Sequence, residues 1–151
     1  MTRNLYFLLY LLATITPINA IPHKLDKRTT VFGQCSLTPA LPTFQVTVSP
    51  DPVVAGKLAT YNFSGTAQTD FPNDMEIFIM FNDTESTLDG GDFCNIPGNP
   101  ACPIKRGTSF NRLFSSVQIP EDLPASHTET VLFIQADSVT STIACAVATV
   151  S

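Results

Sequence analysis

Cys35, Cys94, Cys102 and Cys145 are the only cysteines of this 151-residue chain. They constrain its fold more than any other feature, because the segment ahead of them directs the chain to an oxidising compartment. Residues 1–20, MTRNLYFLLYLLATITPINA, combine Arg3, an apolar run from Leu5 to Ile15 and a small residue at Ala20. Those are the parts of a cleaved secretory signal peptide. The apolar run is shorter than the roughly 20 residues a membrane-spanning helix needs. The next segment, residues 21–28, ends in the dibasic pair Lys27-Arg28 and reads as a propeptide. The mature domain is then 29–151. An even cysteine count in such a chain implies two disulfides.

Four cysteines allow three pairings. Cys94 and Cys102 enclose NIPGNPA, a run of residues that favour turns, so they form the natural local pair. Cys35 and Cys145 would then tie the start of the domain to its end. A zinc site is disfavoured because zinc-binding cysteine pairs are usually two to four residues apart.

Removing residues 1–28 leaves 4 basic and 12 acidic residues, a formal charge of −8 with histidine neutral. A surface of that sign repels nucleic acid and gains nothing from long-range attraction to anionic membranes. The length suits one domain. Helical periodicity is nearly absent, and short β-rich runs alternate with turn residues. FQVTVS (44–49) places Phe44, Val46 and Val48 on one face. ATYNFSGTA (59–67) does the same with Tyr61 and Phe63, while MEIFIMF (75–81) is apolar on both faces from Ile77 to Phe81, and TSFNRLFSSVQI (108–119) carries Phe110, Leu113, Phe114, Val117 and Ile119. TVLFIQADSV (130–139) and STIACAVATV (141–150) read as a closing hairpin. Pro50 and Pro52 exclude a central strand just after residue 49. About seven strands in an all-β sandwich follow from this spacing.

Catalytic chemistry finds little footing. The cysteines are committed to disulfides. His127, the one mature histidine, sits in the hydrophilic stretch PASHTE and reads as a solvated loop residue. Asp89 and Asp92 lie in LDGGDF, read as a loop without the ligand rhythm of a calcium site. Glu121-Asp122 flanks a turn. No phosphate-binding glycine loop precedes a helix, and neither a cofactor nor a metal is expected. Asn62-Phe63-Ser64 and Asn82-Asp83-Thr84 are glycosylation sequons, and alternation puts Asn62 on an outward face. The mature chain holds ten phenylalanines and no tryptophan. That supply suits either a plain core or a lipid-sized cavity between two sheets.

Four blocks carry a family resemblance. VTVSPDPVVAGKLATYNFSGTA (46–67), DFCNIPGNPACPIKRG (92–107), IPEDLPASHTETVLF (119–133) and IACAVATV (143–150) follow one another as in the ML domain, the MD-2-related lipid-recognition family. They are most similar to the fungal phosphatidylglycerol/phosphatidylinositol transfer proteins. The Cys-Pro-Ile step within this framework is the most specific part. The resemblance implies an immunoglobulin-like sandwich with a hydrophobic cavity between its sheets, and it implies the same two disulfides. Niemann-Pick C2 sterol carriers share the fold but add a third, N-terminal disulfide for which this chain has no cysteines. Phe110 falls where those carriers have an aromatic residue, whereas Arg112 replaces a second one.

The resulting expectation is a non-catalytic lipid-binding and transfer protein for phosphatidylglycerol or phosphatidylinositol. It would be a monomer that touches membranes transiently and binds no nucleic acid. It would act in the extracellular space or in a vacuolar or lysosomal lumen. Phe63, Ile77, Ile79, Phe81, Phe110, Phe114 and Phe133 are the expected cavity wall. Lys105, Arg106 and Arg112, three of the four mature bases, are the expected headgroup rim. The alternatives are sterol carriage on the same fold, an interaction module that recognises lipid-bearing molecules and, last, an enzyme.

Overall fold

The computed structural model describes residues 29–37, 39–82, 84–136 and 141–151, and for residues 84–90 it describes the backbone alone. The expected signal peptide (1–20) and propeptide (21–28) lie outside the described residues.

Among the described residues nine strands form: β1 (Gly33–Gln34), β2 (Gln45–Ser49), β3 (Leu58–Thr66), β4 (Met75–Phe81), β5 (Thr84–Asp92), β6 (Gly98–Asn99), β7 (Ser109–Gln118), β8 (His127–Gln135) and β9 (Thr142–Val150). A short 3-10 turn, Phe93–Asn95, follows β5. One sheet has the order β1-β9-β8-β4-β5 and the other β2-β3-β7-β6. All neighbouring strands run antiparallel. The architecture is the expected immunoglobulin-like sandwich. The count exceeds seven because β1 and β6 are two-residue ladders too short to leave a pattern, and because LDGGDF, read as a loop, extends β5 up to Asp92.

The alternation of apolar side chains decides which faces meet. On β4, Met75, Ile77, Ile79 and Phe81 point inward. On β8 the inward set is His127, Glu129, Val131 and Phe133. On β9, inward Ala144, Ala146 and Ala148 pair with Phe133, Val131 and Glu129 of β8. Three small residues there leave volume for large rings from the opposite sheet. On β7, Phe110, Arg112 and Phe114 keep the two-residue period, and then the period slips. Ser116 adopts a φ of 69°. Between Ala59 and Tyr61 of β3 the β7 register advances by three residues, from Val117 to Phe114. This bulge returns Val117 to the core despite its three-residue spacing from Phe114.

Both disulfides expected from the sequence are present, Cys35–Cys145 and Cys94–Cys102. The first fastens the β1 segment to β9. The second closes the loop that carries β6 across the open edge of β7.

Candidate functional site

The seven residues expected to line a cavity are all buried between the sheets, and none is more than 7 % exposed. The structure also brings in aromatics that sequence reasoning left out of the wall. Phe44 stacks on Phe133 with ring centroids 4.0 Å apart. Phe93 lies 5.1 Å from Phe133 and 5.9 Å from Phe110, and Phe71 lies 5.3 Å from Phe110. Phe63 joins the same group through Phe114 and Phe133. Fully burying one such ring contributes about 1.5–3 kcal/mol, and edge-to-face pairing adds to it. Phe44 was legible as an inward strand residue. Phe71 and Phe93 sit just outside regular strand patterns, where alternation gives no direction.

This aromatic interior reaches the surface at a groove of about 720 Å³. Its walls are Phe32 and Gly33 on one side and Ser64, Gly65, Thr66 and Ser109 on the other, with Phe44 and Phe110 also lining it. Gly65 lies close to both of these phenylalanines: a Cβ at its position would be in ordinary van der Waals contact, 3.5 Å, with Phe44 and the Phe110 ring.

The loop bearing Lys105 and Arg106 folds against the same end. Gly107 N–H donates to the Ala67 carbonyl at 2.7 Å, and Ala67 N–H donates to Thr108 at 3.0 Å. Thr66 and Gln68, on either side of Ala67, line the groove. Lys105 Nζ donates to Asp70 at 2.9 Å in an exposed ion pair. The Arg106 backbone N–H donates to the other Asp70 oxygen, also at 2.9 Å. These contacts hold the Asp70 carboxyl below its usual range, the Arg106 N–H contributing most and Lys105 next. Asp92 plays a different part: it caps the 3-10 turn, accepting from Cys94 N–H at 2.8 Å.

Arg112 does not share that exposed position. It is 1 % exposed, pointing inward between Phe110 and Phe114, with its guanidinium carbon 5.0 Å from the Phe93 ring centroid. One Nη donates to the Pro100 carbonyl, the other weakly to Asn111 at 3.4 Å. Nε is buried without a partner. Burial pulls the guanidinium below its ordinary pKa, yet an arginine stays charged. The stapled loop covers it through Gly98, where a Cβ would overlap the Asn111 carbonyl oxygen and come within 2.7 Å of Arg112 Nη1.

The reading of His127 as a solvated loop residue is corrected. It opens β8 on an inward position and is 6 % exposed. Its Nδ1 lies 2.9 Å from the Pro124 carbonyl, which can only accept, so Nδ1 carries the proton. Nε2 lies 3.1 Å from Glu129 Oε1. Tyr61, from the other sheet, donates to Glu129 Oε2 at 2.9 Å. Burial, above all, raises the Glu129 carboxyl, against the opposing pull of its bonds to His127 and Tyr61. Burial and the neighbouring Glu129 also push the Tyr61 phenol up. This group bridges the two sheets, and neither Glu129 nor Tyr61 was singled out from the sequence as polar core.

Asn62 of the first sequon is half-buried on the outer face of β3, and Asn82 of the second is exposed after β4 at a φ of 48°. Asn82 Oδ1 accepts from Thr128 N–H at 2.8 Å.

A two-sheet sandwich, stapled at two points and filled with phenylalanine up to an open groove, defines the class. The ML-domain family profile matches residues 29–151. The chain belongs to the ML-domain family. A Dictyostelium discoideum protein whose name places it among phosphatidylglycerol/phosphatidylinositol transfer proteins is 29 % identical over 96 residues, 62 % of this chain. The match spans 66 % of that relative, just under two thirds of its length. A crystal structure of a Niemann-Pick type C2 protein from Japanese carpenter ant superposes with a TM-score of 0.60 at 17 % identity, covering 79 % of this chain and 96 % of that one. At that identity the likeness is one of fold.

Proposed function

We propose that this protein binds a lipid between its sheets and carries it between membranes, with phosphatidylglycerol and phosphatidylinositol as the ligand class. The observation that carries the proposal is the groove floored by Phe44 and Phe110, whose rings continue into the buried cluster around Phe133. Family membership and the name of the Dictyostelium relative support it. Acyl chains enter along this groove and lie against these rings. Burial of apolar surface from water releases roughly 25 cal/mol per Å². Measured from a bilayer the same step is close to neutral, so loading and unloading are both accessible. Lys105 and Arg106, at the end of the groove, meet the phosphate as the lipid leaves the membrane.

The function is non-catalytic in this reading. Among the described residues the one histidine, His127, is buried against a carboxylate and a carbonyl. The two disulfides suit action in an oxidising compartment, outside the cell or in a vacuolar lumen.

A vesicle-to-vesicle transfer assay with fluorescent phosphatidylglycerol tests the proposal. The protein should accelerate transfer, and Lys105→Glu with Arg106→Glu should slow it. Acceleration of sterol alone would assign sterol carriage instead. No acceleration for any lipid, together with no lipid retained on the purified protein, would leave an interaction module.

A further inference from the structure

Arg112 occupies a position that strand alternation reserves for an apolar side chain. Its neighbours at the same face of β7 are Phe110 and Phe114. A charge moved into such surroundings costs several kcal/mol unless it is paired and its hydrogen-bonding groups are filled. Among the described residues Lys105 forms an ion pair with Asp70, and Glu129 is faced by His127 and Tyr61. Arg112 instead has two carbonyl oxygens, the face of Phe93 and a buried Nε with no partner. A carbonyl does not neutralise a cation, and a cation over a ring recovers part of the cost. What remains is the Nε–H, a buried donor on a cationic group with no acceptor opposite it, of the kind that an oxyanion oxygen fills through a charge-assisted bond.

The surroundings match an amphiphile. The ring under the guanidinium, Phe93, touches Phe110 and Phe133, the same rings that lead out to the groove. The cover is a thin stapled loop, held by Cys94–Cys102 and seated on the arginine where Gly98 has no side chain. We propose that Arg112 is the ligand-selecting residue of the inter-sheet space, where it binds the oxyanion, phosphate or carboxylate, of an amphiphile whose apolar chain lies among Phe93, Phe110 and Phe133. This rests on the lipid-binding reading and deepens it. Anionic ligands are chosen inside the sandwich by one buried arginine, and the exposed bases serve the passage of the headgroup.

The test uses the chain from residue 29 to residue 151 and phosphatidylcholine vesicles containing, in separate arms, phosphatidylglycerol with an equal amount of diacylglycerol, or palmitate with an equal amount of hexadecanol. After re-isolation the lipid retained per protein is counted by mass spectrometry. The wild type should enrich phosphatidylglycerol over diacylglycerol, or palmitate over hexadecanol, on the order of tenfold, the factor expected from one charge-assisted contact. Which arm shows it tells a phosphate from a carboxylate. Arg112→Met should bring the ratio near one while uptake of the uncharged partner persists, and Arg112→Lys should keep part of the preference. Because a buried contact is little screened, the wild-type preference should survive a change from about 0.05 to about 0.5 M salt. A preference that Arg112→Met leaves intact overturns the proposal. If that variant does not fold, the salt arm decides: a preference lost at high salt belongs to surface bases and equally overturns it. Equal uptake of charged and uncharged partners by the wild type removes this proposal and spares the lipid-binding reading. No uptake in any arm removes both.

Discussion

An acidic and a basic side chain, Glu129 and Arg112, are both buried between the sheets, and they are treated differently. Glu129 is completed from within. It receives the Tyr61 hydroxyl from the opposite sheet and faces His127 Nε2 along its own strand, and His127 is in turn anchored on Pro124. Arg112 is met by carbonyl oxygens and a ring, with Nε left over. A polar group whose bonding capacity is filled by the protein holds the protein together. One whose capacity is left partly open faces something else. The Glu129 end is a tie between sheets; the Arg112 end is a buried cation under the stapled loop with one donor unfilled.

The sharpest way to break this contrast is Glu129→Ala. It leaves the Tyr61 hydroxyl and His127 Nε2 facing an apolar gap, at about 1–3 kcal/mol for each unfilled group, and stability in urea should fall by about 3–5 kcal/mol. A loss below about 1 kcal/mol would show that the tie is not structural.

Replacing Cys94 and Cys102 by alanine attacks the other end. The residues are 8 apart in sequence, and loop-closure entropy for so short a ring is about 2.5 kcal/mol. The expected result is that loss in denaturant titration, with the amide of Leu113, bonded to Pro97 of the stapled loop, exchanging faster with solvent. Unchanged exchange there would mean that the cover over Arg112 does not depend on its staple.

Gly98→Ala is a finer probe of the same cover. The new methyl overlaps a backbone carbonyl and crowds Arg112 Nη1, and overpacking of this kind costs about 1–3 kcal/mol. An unaltered melting temperature would show that β6 does not sit as closely on the arginine as the contact requires.

The smallest effect should come from Glu129→Gln, which keeps the shape and supplies an N–H for His127 and a carbonyl for Tyr61. Its cost at acid pH should stay below about 1 kcal/mol. Its informative consequence is pH dependence. The Glu129 carboxyl is raised in the fold, first by burial, so its native state favours the protonated acid. That contribution is complete below the unfolded carboxyl's value near 4.3 and is lost as pH rises through the raised native value. Wild-type stability should therefore decline across this window, and Glu129→Gln should flatten the decline. A parallel pH profile for the two proteins would place the titrating group elsewhere.

How legible each end was follows from what a sequence pattern encodes. The staple was readable because a cysteine pair around proline, glycine and asparagine closes locally. The inward faces of β3, β4 and β8 were readable because a strand side chain's direction repeats every second residue. Phe93 was not, since the residue after a strand and inside a 3-10 turn has no such period. His127 was misread because PASHTE is polar in composition, while its position as the first inward residue of β8 depends on where the strand begins. Arg112 was recognised as one of three clustered bases and grouped with Lys105 and Arg106, its neighbours along the chain. Alternation separates it from them: Lys105 and Arg106 lie in a turn, and Arg112 lies in a strand at an inward step.

The chain's order of residues was enough to determine an all-β, two-disulfide sandwich rich in buried phenylalanine, because strand alternation, turn chemistry and local cysteine closure are short-range properties. Tertiary structure alone decided that Tyr61 meets Glu129 across 68 residues of sequence, that Asp70 takes the charge of Lys105, and that Arg112 lies under Gly98 with one nitrogen unpaired. Each of these depends on how two sheets face each other and on which loop covers the edge. Such long-range juxtaposition is fixed by the packing of the whole domain and leaves no mark in any short stretch of its sequence.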